Sequence, residues 1–184
     1  MDSKHQIIPA GREPGYTLVE LVVGLGVLAV LAAWGIPNFG HFSRNAARSV
    51  QVNQFIQAIY LARSEAIKRN GVVSLCPSRD GATCDAGSPW HQGWLVFVNL
   101  DRDSPATLDA DEELLHAYPS WESGWIAANR STLSFRPFGQ SGVTATITFC
   151  DDRGTAEARA VIISQTGRPR LADRNSSGGP LNCG

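Results

Sequence analysis

Residues 15–36 read GYTLVELVVGLGVLAVLAAWGI, and within them Leu18–Ile36 forms a 19-residue apolar run with one charge, Glu20. At 1.5 Å per residue, a helix of this length spans the hydrocarbon core of a bilayer. A secretory signal peptide would place a small-residue cleavage site after a shorter apolar region. Here the processing signal, Glu13-Pro14-Gly15-Tyr16, precedes the run, so the helix survives cleavage. Lys4 and Arg12 bias the N-terminus toward the cytoplasm, and Asp2 and Glu13 weaken that bias. A carboxylate in a lipid-facing helix costs about 2.5–3.5 kcal/mol, so Glu20 needs a partner or a role.

Beyond the span, Pro37 removes a helical hydrogen bond and Gly35 weakens the same turn, which predicts a kink or local melting. The helical period then resumes. Val52, Phe55, Ile56, Ile59, Ala62, Ala66 and Ile67 share one stripe, and Asn70-Gly71 supplies a C-cap. Such a stripe is read as the core face of a helix lying against a globular head, in preference to a partner groove.

After Gly71 the period becomes strand-like. Val72–Cys76, Gly93–Asn99, Glu113–Tyr118, Thr132–Phe138, Thr144–Cys150 and Ala158–Ser164 are short β-rich runs bounded by Gly, Pro and Asp. The fifth and sixth form a hairpin across Asp151-Asp152-Arg153-Gly154. There is no internal repeat. The expected class is α+β: a long N-terminal helix, half membrane-spanning and half amphipathic, packed on an antiparallel β-sheet head. The expected organisation is a leader over residues 1–15, a helix over 16–70 with its span at about 18–36, and a head over 71–184.

With 184 residues and 43% apolar content, the chain accommodates one domain and an appended helix. All four cysteines follow the apolar run, in the part an anchor would deliver outside the cytoplasm, where disulfides are permitted. Four cysteines allow three pairings. Cys76–Cys84 is favoured by closeness in sequence and Cys150–Cys183 because it would tie down a Gly/Ser-rich tail. Loop entropy assigns them roughly 3 and 4 kcal/mol. The competing four-Cys zinc site lacks C-x2-C or C-x4-C spacing.

Gly15-Tyr16-Thr17-Leu18-Val19-Glu20-Leu21 resembles the prepilin peptidase motif of type IV pilins, with Tyr16 where the family usually has Phe. The resemblance implies a prepilin peptidase as partner, cleavage between Gly15 and Tyr16, and N-methylation of the new terminus. It implies that Glu20 pairs with the N-terminal amine of a neighbouring subunit during assembly, and a proline near position 37 also fits the family. The order of the later signals is similar to the GspH/FimT branch of minor pilins and pseudopilins. It is carried by Ala62-Arg63-Ser64-Glu65-Ala66, Gly93-Trp94-Leu95-Val96-Phe97 and a late strand running into Gly167-Arg168-Pro169-Arg170.

No residues mark a catalytic apparatus or a cofactor: His5, His41, His91 and His116 have no metal-ligand spacing, and neither G-x-S-x-G nor a P-loop occurs. An enzyme is therefore not expected. Trp90, Trp94, Trp121 and Trp125 are read as core and loop anchors. Asp101, Asp103, Asp109 and Glu112 fall at positions 1, 3, 9 and 12 of an EF-hand-like register, but Ala106 stands where the turn needs Gly. The loop is read as a solvated connection, with a calcium-stabilised loop of another design as the alternative.

Charge is distributed unevenly. Residues 1–129 carry nine Lys/Arg against thirteen Asp/Glu, net −4, while residues 130–184 carry seven arginines against four acids, net +3. Arg168 and Arg170 flank Pro169, which favours extended backbone, so both would point to one side and could grip neighbouring phosphates; Arg174 follows nearby. The alternative is ion pairing with Asp151, Asp152 or Asp173. Gly167-Arg168-Pro169-Arg170 resembles the Gly-Arg-x-Arg motif of FimT proteins that bind DNA during natural transformation. The resemblance implies a minor pilin contacting double-stranded DNA through Arg168, Arg170, Arg174 and Gly167. It would sit in the inner membrane with its head in the periplasm, then join a pilus beside other major and minor pilins. The rival is a GspH-like pseudopilin of a type II secretion pseudopilus.

Overall fold

The computed structural model describes residues 15–137 and 144–184, and residues 35–38 only by their place in a helix. The kink expected at Gly35 and Pro37, the leader residues 1–14 and the end of the strand expected to reach Phe138 lie outside the described residues. Helix α1 runs from Leu18 to Arg69. The chain divides into two compact units, Met1–Phe42 and Ser43–Gly184.

In the first unit every described side chain from 15 to 34 is exposed, including Leu21, Val22, Leu25, Leu28 and Leu31. This segment is long and apolar enough to cross a membrane.

Among the described residues the second unit contains the C-terminal half of α1 and eight strands: β1 (Val72–Pro77), β2 (Trp94–Asn99), β3 (Leu114–Tyr118), β4 (Trp125–Ala128), β5 (Leu133–Phe135), β6 (Ala145–Cys150), β7 (Arg159–Ile163) and β8 (Pro169–Ala172). They form two four-stranded sheets, ordered β3-β2-β1-β5 and β4-β6-β7-β8, with antiparallel pairing throughout. The head is antiparallel β-structure as expected, divided into two sheets. Strand β4 is an addition, because Trp125–Ala128 is too short to display an alternating pattern.

The α1 stripe is the centre of the core. Val52, Phe55, Ala58, Ile59, Ala62 and Ala66 pack with Val73, Leu75, Val96 and Phe135 of the first sheet and Ile147, Phe149, Val161 and Ile163 of the second. Phe55 bridges the two sheets, its ring meeting Trp94 at 5.3 Å and Phe149 at 5.8 Å between centroids in edge-on geometry. Ile67, expected on this stripe, is exposed: it lies about 100° around the helix from Ala66, the last core residue. The helix ends in a Schellman motif in which Gly71 N donates to Ala66 O and Asn70 N to Ile67 O. Asn70 takes the left-handed conformation at φ +51°.

Gly93 opens β2 at φ +119°, where a Cβ would stand 2.8 Å from Tyr118 O and 2.9 Å from Ser78 O. Only glycine fits this crossing of three backbone segments. Both favoured disulfides are formed, Cys76–Cys84 and Cys150–Cys183. The second holds the C-terminal tail to β6, and Leu181 of that tail covers Cys150, Ala160 and Ile162 on the outer face of the second sheet. Trp90, Trp94 and Trp121 are buried, while half-buried Trp125 donates its indole N–H to Cys183 O and helps hold the tail.

Candidate functional site: the helix N-terminus and the arginine hairpin

Two regions gather the residues singled out by sequence. The first is the start of α1. Thr17 N donates to Glu20 Oε2 at 3.0 Å, and Glu20 N donates in return to Thr17 Oγ1 at 3.2 Å. This is a capping box, and Thr17 Oγ1 also donates to Glu20 Oε2. Glu20 therefore satisfies the backbone N–H and the hydroxyl of Thr17 in its own chain through one carboxylate oxygen. The signal for this, Thr-x-x-Glu at the head of an apolar run, stood in the sequence and was missed. Gly15 and Tyr16 precede the box, and Tyr16 is fully accessible.

The second region is the β7–β8 hairpin at the edge of the second sheet. Its loop is Gln165-Thr166-Gly167: Gly167 N donates to Ser164 O at 2.8 Å, and Ser164 N to Arg168 O at 3.2 Å. Gly167 adopts φ +71°, the left-handed position that closes a three-residue hairpin loop. The first residue of the Gly-Arg-Pro-Arg stretch thus turns the chain, and the remainder forms the returning strand. Ser164 and Arg168 are a hydrogen-bonded pair, so alternation along the ladder directs the backbone of Arg168 and Arg170 toward β7. Pro169 then sits with its donor-free nitrogen on the open edge, which blunts that edge against further pairing.

Arg170 stands opposite Ile162, and residues directly opposite share a face. Two-residue periodicity puts Arg168 on that same face, the outer one that also carries the disulfide-bound tail. Both arginines are exposed and, among the described residues, neither has a carboxylate within 4.0 Å. Arg174 is also exposed and donates to Gly178 O at 3.2 Å. The tail turn that follows is organised by Asn175, whose Oδ1 accepts from Ser177 N and Gly179 N while its Nδ2 donates to Pro180 O. Nothing in the sequence reading had singled out Asn175.

Of the acids proposed as rival partners, Asp151 and Asp152 are occupied elsewhere, and Asp173 is exposed and makes no ion pair with Arg168, Arg170 or Arg174 among the described residues. Asp151 is held by Arg48 at 3.3 Å and by Arg153, which reaches both oxygens at 2.9 and 2.6 Å. Asp152 pairs with Arg44 at 3.3 Å. Arg48, Asp151 and Arg153 are all buried or nearly so, and the cluster pins α1 to the β6–β7 connection. The bidentate Arg153 contact, aided by Arg48, holds the Asp151 carboxyl below its ordinary range. Burial pushes Arg48 down even though Asp151 pulls it up.

In the acidic loop, the carboxylates accept hydrogen bonds from the loop's own backbone. Glu112 takes Leu100 N at 2.6 Å and Asp109 N at 3.2 Å, and Asp101 takes Asp103 N at 3.1 Å. Among the described residues no three His, Cys, Asp or Glu side chains converge to hold a metal ion.

An apolar N-terminal helix continuing into the core of a two-sheet head defines a pilin-type subunit. Comparison with known proteins agrees. Residues 51–167 match the family model described as Type II transport protein GspH. The chain is 30% identical over 167 residues to the pilin-like protein PilA1 of Thermus thermophilus, covering 85% of this chain and 97% of that one. It is 33% identical over 79 residues to prepilin peptidase-dependent protein D of Escherichia coli, covering 42% of this chain and 47% of that one. Its fold is similar to the type IV minor pilin FimU of Pseudomonas aeruginosa in two crystal forms. TM-scores are 0.51 and 0.54 at 22% and 20% identity, over 75% and 79% of this chain and 98% of FimU in each case. The chain belongs to the GspH family of type IV pilin-like proteins, whose members are structural subunits of pili and pseudopili.

Proposed function

We propose that this protein is a minor pilin of FimT type that binds extracellular double-stranded DNA without sequence preference during uptake for natural transformation. Arg168, Arg170 and Arg174 are the contacts, and Gly167 shapes the turn that presents them. The observation that carries this reading is a pair of arginines on one face of an exposed edge hairpin, without carboxylate partners among the described residues, while Asp151 and Asp152 are bound by other arginines. A planar guanidinium is matched to phosphate. On this reading prepilin peptidase cleaves after Gly15, Tyr16 is N-methylated, and the α1 span anchors the subunit in the inner membrane with its head in the periplasm. During assembly with other pilins, the Glu20 carboxylate meets the new amine of a neighbour.

The test is DNA binding by the full chain in a nonionic detergent, beside R168A/R170A. With two or three phosphates neutralised, log K should fall with log salt at a slope of about −2 to −3, and the double variant should lose most of that slope. Absence of binding by the wild type at low salt would exclude DNA as a ligand of this hairpin.

The family model's description favours a second reading, a minor pseudopilin of a type II secretion pseudopilus. Neighbouring genes separate the two, since secretin-and-ATPase secretion operons differ from minor pilin clusters.

A further inference from the structure

A second set of uncommitted arginines lies on the other sheet. Arg136 follows β5 and, by extension of the β1–β5 register, stands opposite Val72; Ser134 stands opposite Ser74 on the same outer face. The loop after β2 folds over this corner, anchored where Ala106 N donates to Thr132 Oγ1 at 3.2 Å. Between loop and strand is a cavity of about 140 Å³ lined by Val72, Arg102, Arg136, Ser104, Thr132, Ser134 and Asp103.

The hydrogen-bonding balance of that lining favours donors. Arg102 and Arg136 have no carboxylate within 4.0 Å among the described residues. Thr132 Oγ1 accepts from Ala106 N, which leaves its hydroxyl hydrogen to give. The hydroxyl of Ser104 adds a further donor. The one carboxylate in the lining, Asp103, is already engaged: Oδ1 takes Asn99 Nδ2 at 2.9 Å, and Oδ2 takes Thr107 N at 2.9 Å and Thr107 Oγ1. Asp101 and Glu112, two further acids of the loop, are bonded to backbone amides. Two guanidinia and two hydroxyl donors around a small cavity, with its only carboxylate turned to other partners, have the chemistry of an oxyanion receptor.

We propose that this cavity binds a small oxyanion, phosphate or carboxylate, between Arg102 and Arg136. It is separate from the Arg168/Arg170 hairpin and does not depend on DNA binding there. Because the surrounding loop is acidic, binding relies on close contact with the two guanidinia and not on long-range attraction.

Arg102 offers a clean variant. It holds a left-handed backbone at φ +63°, an uncommon conformation for a residue with a Cβ. R102G removes the guanidinium while easing that backbone, so the loop keeps its shape. The experiment is equilibrium dialysis of the full chain in nonionic detergent against radiolabelled inorganic phosphate at fixed ionic strength, with acetate as a competing arm. Saturable binding at millimolar phosphate is expected, weakened about tenfold or more in R102G and in R136Q and unchanged in R168A/R170A. Displacement by acetate at concentrations similar to phosphate identifies a carboxylate receptor, and resistance to acetate identifies a phosphate receptor. The proposal is overturned if the wild type shows no saturable binding, or if binding survives R102G and R136Q but disappears in R168A/R170A.

Discussion

Two groups of arginines in the head occupy opposite electrostatic situations. Around the β6–β7 connection, Arg44, Arg48 and Arg153 each meet a carboxylate, and Arg48 and Arg153 are withdrawn from water. On the β7–β8 hairpin, at the other end of β7, Arg168 and Arg170 stand in solvent without one among the described residues. The first group has its charge neutralised inside the protein and serves to fix α1 against the second sheet. The second group retains its charge for something outside. The positive balance of residues 130–184 is therefore carried by a few exposed side chains, and overall composition hides it.

Breaking the buried cluster should have the largest effect. Asp151→Ala takes from Arg48 and Arg153 the buried carboxylate they share, 2% exposed, and leaves them only the part-exposed Glu157 at 3.9 and 3.8 Å. Removing one partner of a buried pair costs about 3–5 kcal/mol. Urea unfolding should reveal that loss, whereas Asp152→Ala, which breaks only the solvent-exposed pair with Arg44, should cost no more than about 1 kcal/mol. Equal losses in the two variants would mean that the buried cluster has no special place in the fold.

Acid should act on the same cluster more gently. The folded state holds the Asp151 carboxyl below its ordinary range, so near pH 4 the unfolded chain binds more protons than the folded one. The contribution of Asp151 to stability is complete above that pH and declines as pH falls through the depressed folded value. In Asp151→Ala this part of the acid dependence should vanish, leaving a flatter stability profile below about pH 4. Glu65 and Glu113, both held low by their contacts with Arg69, contribute in the same direction, so the variant's profile should flatten without becoming level.

The division between these regions was only partly legible in the sequence. Local pattern carried the helix, because an apolar run and then a 3.6-residue stripe are short-range signals; it also carried six strands and the β6–β7 hairpin. The arginine hairpin was readable since Gly167, Arg168, Pro169 and Arg170 are contiguous. The Arg48–Asp151 pair joins residues 103 apart, and no local pattern announces such a contact. The split into two sheets is likewise a matter of register between distant strands, which alternation cannot specify. Ile67 was misplaced by a single helical step, and β4 was too short to show a period. The Thr17–Glu20 capping box differs from these, since its Thr-x-x-Glu motif is local and was legible in the sequence.

The smallest expected effect is the most informative about the hairpin. In R168A/R170A no ion pair among the described residues is lost, and the backbone of both residues keeps its pairing with β7. Surface substitutions of this kind change stability by no more than about 0.5 kcal/mol. The double variant should therefore unfold at the wild-type urea midpoint with an unchanged slope, while its affinity for DNA falls. A loss above about 1 kcal/mol would mean that the arginine stems pack against the outer face and hold the β8 edge in place. The two groups would then differ in degree only, and loss of DNA binding in the variant would cease to identify Arg168 and Arg170 as the contacts.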